Sequence, residues 1–176
     1  MKKVNLHKLV FMALCCSLGM SVKKVINPFA NVITDSLHIP GGISTGFSLM
    51  FIVIAAELLK LRGCGTMMGA VQGALALFTG RVGSMGALSF VGYLVPGMAV
   101  DAMFYALKGP RFSGEERMAF ANAASSLAAS LTANVIVFRL WGAALLLYLG
   151  VSAISGLIFG LLGSKIVKRI ASAVKF

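Results

Sequence analysis

The chain has 176 residues, 59% hydrophobic and 12% charged, with a mean hydropathy of +0.93 and a formal net charge of +11. Soluble domains carry about 25% charged residues, so a water-soluble globular enzyme is excluded, and so is disorder, which goes with low hydrophobicity. So large a basic excess would point to nucleic acid in a soluble protein, but here Lys and Arg fall between apolar runs, the layout that the positive-inside rule produces in membrane proteins.

The charges leave six uncharged intervals of 14 residues or more, 9–22, 36–56, 63–80, 82–100, 118–138 and 140–164. Five of them reach the roughly 17–25 residues that a membrane-crossing helix needs. The first is short, but Lys8 and Lys23 bracket it and can snorkel to the two interfaces. Lys2, Lys3 and Lys8 ahead of an apolar run also resemble a secretory signal. Val22-Lys23-Lys24 supplies no small-x-small cleavage pattern, and Leu14 spoils Cys15 as a lipoprotein site, so the reading is a retained helix.

The expected helices are Lys8–Val25, Ile43–Leu61, Gly65–Thr79, Ala87–Leu107, Arg117–Leu140 and Ala143–Arg169. Lys165–Phe176 is expected to continue as a surface helix with Ile166, Ile170 and Val174 on one face toward lipid. With both termini in the cytoplasm, 12 basic residues fall inside, and four (Lys23, Lys24, Arg81 and Arg139) fall outside. The fold class expected is therefore an all-α integral membrane protein, a six-helix bundle with cytoplasmic termini, and residues 1–176 form one domain without linker or low-complexity tract.

Between helices in lipid, small residues mark close contacts. The third helix carries Gly65, Gly69 and Gly73. The fifth is rich in Ala and Ser from Ala119 to Ser130, and the sixth has Ser152, Gly156, Gly160 and Gly163. On the first, Ala13, Ser17 and Ser21 lie four apart on a helix otherwise covered by Leu, Met and Phe. That stripe can dock another membrane protein or pack within the bundle.

The polar residues divide between the two ends. Glu57 and Asp101 fall in the cytoplasmic half, where a Glu57–Lys60 pair and an Asp101 pair with Lys108, Arg62 or Arg117 are the expected uses. In the outer half, Pro96 deprives the Gly92 carbonyl of its helical donor. Tyr93 stands nearby, and Ser130 and Asn134 share a face four residues apart. Trp141 and Tyr148 suit an interfacial belt or a ligand platform. The connection Asn27–Gly42, with Asn27-Pro28-Phe29 and His38-Ile39-Pro40-Gly41-Gly42, reads as a turn-rich cap over a site.

Some chemistry is missing. His38 has no second metal ligand nearby, and Cys15, Cys16 and Cys64 have no metal spacing, so no metal site and no cofactor are expected. Gly160–Lys165 reads GLLGSK and lacks the Gly-Lys pair of a P-loop, and no catalytic triad or HExxH occurs, so no catalytic residue is assigned.

Together, Lys24, Asn27-Pro28-Phe29, Ile39-Pro40-Gly41-Gly42, Gly63-x-Gly65-x-x-x-Gly69, Gln72-Gly73 and Tyr93-x-x-Pro96-Gly97-x-x-x-Asp101 resemble the S components of energy-coupling factor (ECF) vitamin transporters, over almost the whole chain. The resemblance implies a substrate-binding subunit, not an enzyme, that takes a water-soluble vitamin outside the cell. It works with a transmembrane coupling subunit and two ATPase subunits in a prokaryotic plasma membrane, and binds no nucleic acid. It implies partner docking through Ala13 and Ser17, the latter where the family's stripe has a second alanine. Substrate would be held by Tyr93, Ser130, Asn134, Trp141 and Tyr148 under a first outer loop that includes His38. The second to fourth helices look most like members handling thiamine or its pyrimidine precursor, while the four outer basic residues would also suit a carboxylate or phosphate. Two other readings stand beside this one. A stand-alone carrier is expected to show internal repeats and midplane charges, and neither is seen. An assembly partner would need no polar outer pocket.

Overall fold

The six apolar intervals become six helices in the computed structural model, which describes residues 6–37, 43–80, 86, 88–109, 111–137, 139 and 141–173. These are α1 (Leu6–Leu37), α2 (Ile43–Leu59), α3 (Cys64–Phe78), α4 (Ser89–Ala106), α5 (Gly114–Leu131) and α6 (Ala143–Ala173). A π-helical segment, Thr132–Val137, extends α5. Among the described residues there is no β-strand. Segments of 21, 18, 23 and 30 residues in α1, α4, α5 with its extension, and α6 are long and apolar enough to cross a membrane. The chain is a multi-pass membrane protein.

The two remaining helices are short. With 17 and 15 residues, α2 and α3 measure about 25 and 22 Å at about 1.5 Å per residue, less than a hydrocarbon core of about 30 Å. Burial explains how α2 tolerates this. It packs against all five other helices, and Ile52, Val53 and Ala55 are fully enclosed. Protein rather than lipid surrounds most of its length.

Two seams hold the bundle. Along α3, Gly65 and Gly69 press against α4 so closely that a Cβ on either would lie 2.5 Å from the Gly97 carbonyl oxygen or 2.6 Å from that of Tyr93. Along α6, a Cβ on Gly156 or Gly160 would lie 2.7 or 2.6 Å from Cα of Ala123 or Ala119 on α5. Main chains in such contact gain dispersion energy and lose no side-chain entropy. Asn122, fully buried on α5, adds hydrogen bonds from its Nδ2 to the carbonyls of Gly46 on α2 (3.1 Å) and Gly156 on α6 (2.8 Å).

Several expectations need correction. The first helix does not stop near Val25 but runs through Pro28 to Leu37, so residues 27–37 form helix rather than turn-rich loop. Proline removes one N–H, and the following Ala-Asn-Val-Ile run contains no glycine to end the helix. The fifth helix starts at Gly114, three residues earlier than expected, because Ser113 and Glu116 form a capping box. Its end is not α-helical to Leu140: the π-helical segment takes over at Thr132. The sixth runs as one unbroken helix to Ala173, four residues beyond Arg169, so Lys165–Ala173 is helical as expected and in direct continuation of the spanning segment. Lys168 there pairs with Glu115 at the start of α5.

Candidate functional site

The bundle presents different chemistry at its two ends. At the end where α2 and α4 begin, α4 carries Gly92, Tyr93 and Pro96. Pro96 has no N–H for the Gly92 carbonyl, while its own carbonyl accepts a 3.1 Å hydrogen bond from Ser125 of α5. The opened stretch of α4 faces a narrow cleft of about 20 Å³ lined by Gly19, Met20 and Lys23 of α1, Thr45, Ser48 and Leu49 of α2, Gln72 of α3, and Ala129 of α5. Lys23 places its Nζ 4.7 Å from the centroid of the Tyr93 ring, a cation–π contact that bridges α1 and α4 across the cleft. The buried Gln72 side chain donates weakly, at 3.5 Å, to the Cys16 carbonyl. The cleft therefore offers a cation, an aromatic face, hydroxyls and an amide in one place. Its free volume suits about one water molecule.

Next to it, Ser130 and Asn134 are both buried, and the Asn134 amide donates to the Ser130 hydroxyl at 3.0 Å. Asn134 lies in the π-helical segment, which packs against α4. The extra residue per turn there departs from α-helical register, a feature frequent at functional sites. Thus Tyr93, Ser130 and Asn134 occupy one side of the bundle end, on α4 and α5. Trp141 is 74% exposed ahead of α6, and Tyr148 is half-buried on α6. Neither lines the cleft beside Tyr93. His38 lies outside the described residues. Lys23 and Gln72 were legible only as a basic outer residue and a motif position, and nothing in their spacing places both around Tyr93.

On α1, Ala13, Ser17 and Ser21 are exposed, while Met12, Cys15, Cys16 and Gly19 face the bundle. Leu14 and Leu18, 57% and 51% exposed, flank the small residues. The outward surface of α1 is thus an apolar ridge with a shallow small-residue track.

At the opposite end the carboxylates have other partners than expected. Glu57 makes its salt bridge with Arg117 of α5 at 3.0 Å rather than with Lys60, which stands past the end of α2 at Leu59 with a left-handed φ of 49°. Among the described residues Asp101 forms no salt bridge with a base. It accepts from the Gly65 N–H (3.0 Å), the Thr66 N–H (2.7 Å) and the Thr66 hydroxyl (2.6 Å). Gly63, which precedes α3, has no side chain to cap those N–H groups, so a carboxylate from α4 caps α3 instead. A cavity of about 470 Å³ opens beside these groups. Among the described residues no cluster of His, Cys, Asp and Glu could hold a metal ion.

The fold as a whole has a structural counterpart. A crystal structure titled an S-component of an ECF transporter superposes with a TM-score of 0.76 at 22% sequence identity, over 97% of this chain and 87% of that one. This chain has the S-component fold. No protein-family model and no curated protein matches the sequence, so the likeness resides in three-dimensional arrangement. At 97% of this chain, the superposition takes in the short α2 and α3 that length alone would leave out of a membrane.

Proposed function

We propose that the chain is the membrane-embedded substrate-binding component of an ECF-type transporter and not an enzyme. The observation that carries this reading is the S-component fold over 97% of the chain. The outward small-residue track of α1 supports it, since it leaves Ala13 and Ser17 open to a transmembrane coupling subunit driven by two ATPases. Substrate is captured at the end of the bundle that holds Tyr93, Ser130 and Asn134, with Trp141, Tyr148 and His38 as further candidates. By the positive-inside count this end faces outward.

The substrate is a water-soluble vitamin or precursor, with thiamine or its pyrimidine precursor first in order. Tyr93 supplies a face on which a flat heteroaromatic ring can stack, and Asn134 and Gln72 supply amides able to donate to and accept from such a ring. The resting cleft of about 20 Å³ is far too small for a vitamin, so binding requires α1 and α4 to part at the Lys23–Tyr93 bridge. The same small volume favours a second reading, an assembly partner with no ligand of its own.

Native mass spectrometry of the protein released gently from detergent separates the two readings. A co-purified molecule of vitamin mass is the expected result. An empty protein, with no thermal shift against a panel of water-soluble vitamins, would favour the assembly partner. Asn134→Leu should abolish ligand binding and leave folding intact, since it removes one hydrogen bond worth about 1 kcal/mol. Calorimetric titration and thermal unfolding of the same sample check both halves.

A further inference from the structure

The cavity of about 470 Å³ at the other end of the bundle belongs to a different chemistry. Its walls include Glu57, Lys60 and Arg62 around the α2–α3 corner, Asp101 and Lys108 from the α4 side, and Arg117 of α5. Both acids are engaged, Glu57 with Arg117 and Asp101 with backbone N–H groups of α3. Among the described residues Lys60, Arg62 and Lys108 make no direct salt bridge, the ion pairs being Arg117–Glu57 and Lys168–Glu115, although Lys60 lies near enough to Glu57 to attract its charge. Arg117 also keeps its Nε buried without an acceptor, a donor that costs stability unless something fills it. Ala56, Leu61 and Phe104 complete the wall, and such apolar neighbours strengthen attraction for an anion.

We propose that this cavity holds the phosphate of an anionic phospholipid. Lys60, Arg62 and Lys108 on one wall, with Arg117 beside them, outnumber the two acids of the cavity and call for a multiply accepting anion, and phosphate oxygens meet that need. The source is lipid because the cavity lies at the charged ends of α2, α4 and α5, where a membrane's headgroups lie. Tyr105 on its wall is 77% exposed, as expected of an aromatic at the interface. The basic-residue count also puts this end in the cytoplasm, where basic pockets between spanning helices take anionic headgroups.

The test uses the full chain in neutral detergent, titrated with short-chain phosphatidylglycerol, short-chain phosphatidylcholine or inorganic phosphate, and reads thermal unfolding. Phosphatidylglycerol is expected to stabilise the wild type where phosphatidylcholine does not. The Lys60→Gln/Lys108→Gln variant should bind it roughly 30-fold more weakly, about fivefold per lysine. Lys165→Gln/Arg169→Gln, which removes two exposed charges of α6 from the same end, should bind as the wild type does. Equal affinity in wild type and Lys60→Gln/Lys108→Gln, or equal weakening in both variants, would overturn the site. A response to inorganic phosphate without one to lipid would overturn the lipid as its source. A response to neither would leave the cations to an acidic segment of a protein partner.

Discussion

Helices α3 and α1 carry the same kind of sequence pattern, small residues four apart, and put it to opposite use. On α3 the stripe of Gly65 and Gly69 is consumed within the bundle, where main chain of α4 fills the space that a side chain would need. On α1 the stripe of Ala13, Ser17 and Ser21 faces away from the bundle. Spacing alone creates a flat track on a helix. What decides its fate is whether the opposite face has a stronger claim on the interior. The other face of α1 offers Met12, Cys15 and Cys16, all buried against α2 and α3, so the small face is left over.

If the contrast is right, enlarging the α3 track must damage the fold most. Gly65→Leu puts its first carbon 2.5 Å from a carbonyl oxygen that belongs to a helix and cannot swing aside. Overpacking typically costs about 1–3 kcal/mol, and against backbone the cost should reach or pass about 3 kcal/mol. Little monodisperse protein should be recovered by fluorescence-detected size exclusion. Wild-type yield and thermal stability would show that α3 and α4 are not bound backbone to backbone.

A smaller break comes at the end of the same seam. Asp101→Ala removes the carboxylate that caps α3 and strands the Gly65 and Thr66 N–H groups. Hydrogen bonds to a charged group contribute about 1.5–3 kcal/mol, so a loss of about 2 kcal/mol is expected, with fold and oligomeric state retained. Asp101→Asn, which keeps an acceptor oxygen without the charge, should recover part of it. Thermal unfolding of the pair separates charge from shape. If both variants match wild type, the cap contributes nothing and the ends of α3 and α4 are held by the glycines alone.

These partners also show what the sequence could and could not reveal. Charge spacing gave the number and order of the helices, because a charged side chain is so costly in hydrocarbon that each long uncharged interval falls largely within a helix. Ends were harder. Pro28 looks like a stop but lies within α1, whereas Ser113-x-x-Glu116 was a readable start signal for α5. Asp101 was conspicuous as an intramembrane acid, yet its partners are backbone N–H groups, which leave no mark in a sequence. The same holds at the cleft. Tyr93, Ser130 and Asn134 stood out as polar residues in apolar helices, but the Lys23–Tyr93 contact depends on how α1 crosses α4, and helix crossing is set by packing that no linear spacing encodes.

The smallest effect on stability, and the sharpest test of the contrast, falls on α1. Ala13→Trp adds a large side chain to a position already open to the outside, so it meets nothing within the bundle. Thermal unfolding should move by no more than about 0.5 kcal/mol, as for surface substitutions generally, and ligand binding should be unchanged. A partner that lies flat on the track would lose its close approach, because an indole holds two helices apart where alanine lets them touch. Co-purification with the coupling subunit proposed above should therefore fail for this variant alone. If Ala13→Trp instead prevented expression as Gly65→Leu is expected to do, the track would be an internal seam like that of α3. If it folded and still assembled, α1 would face lipid and the docking surface would lie elsewhere on the bundle.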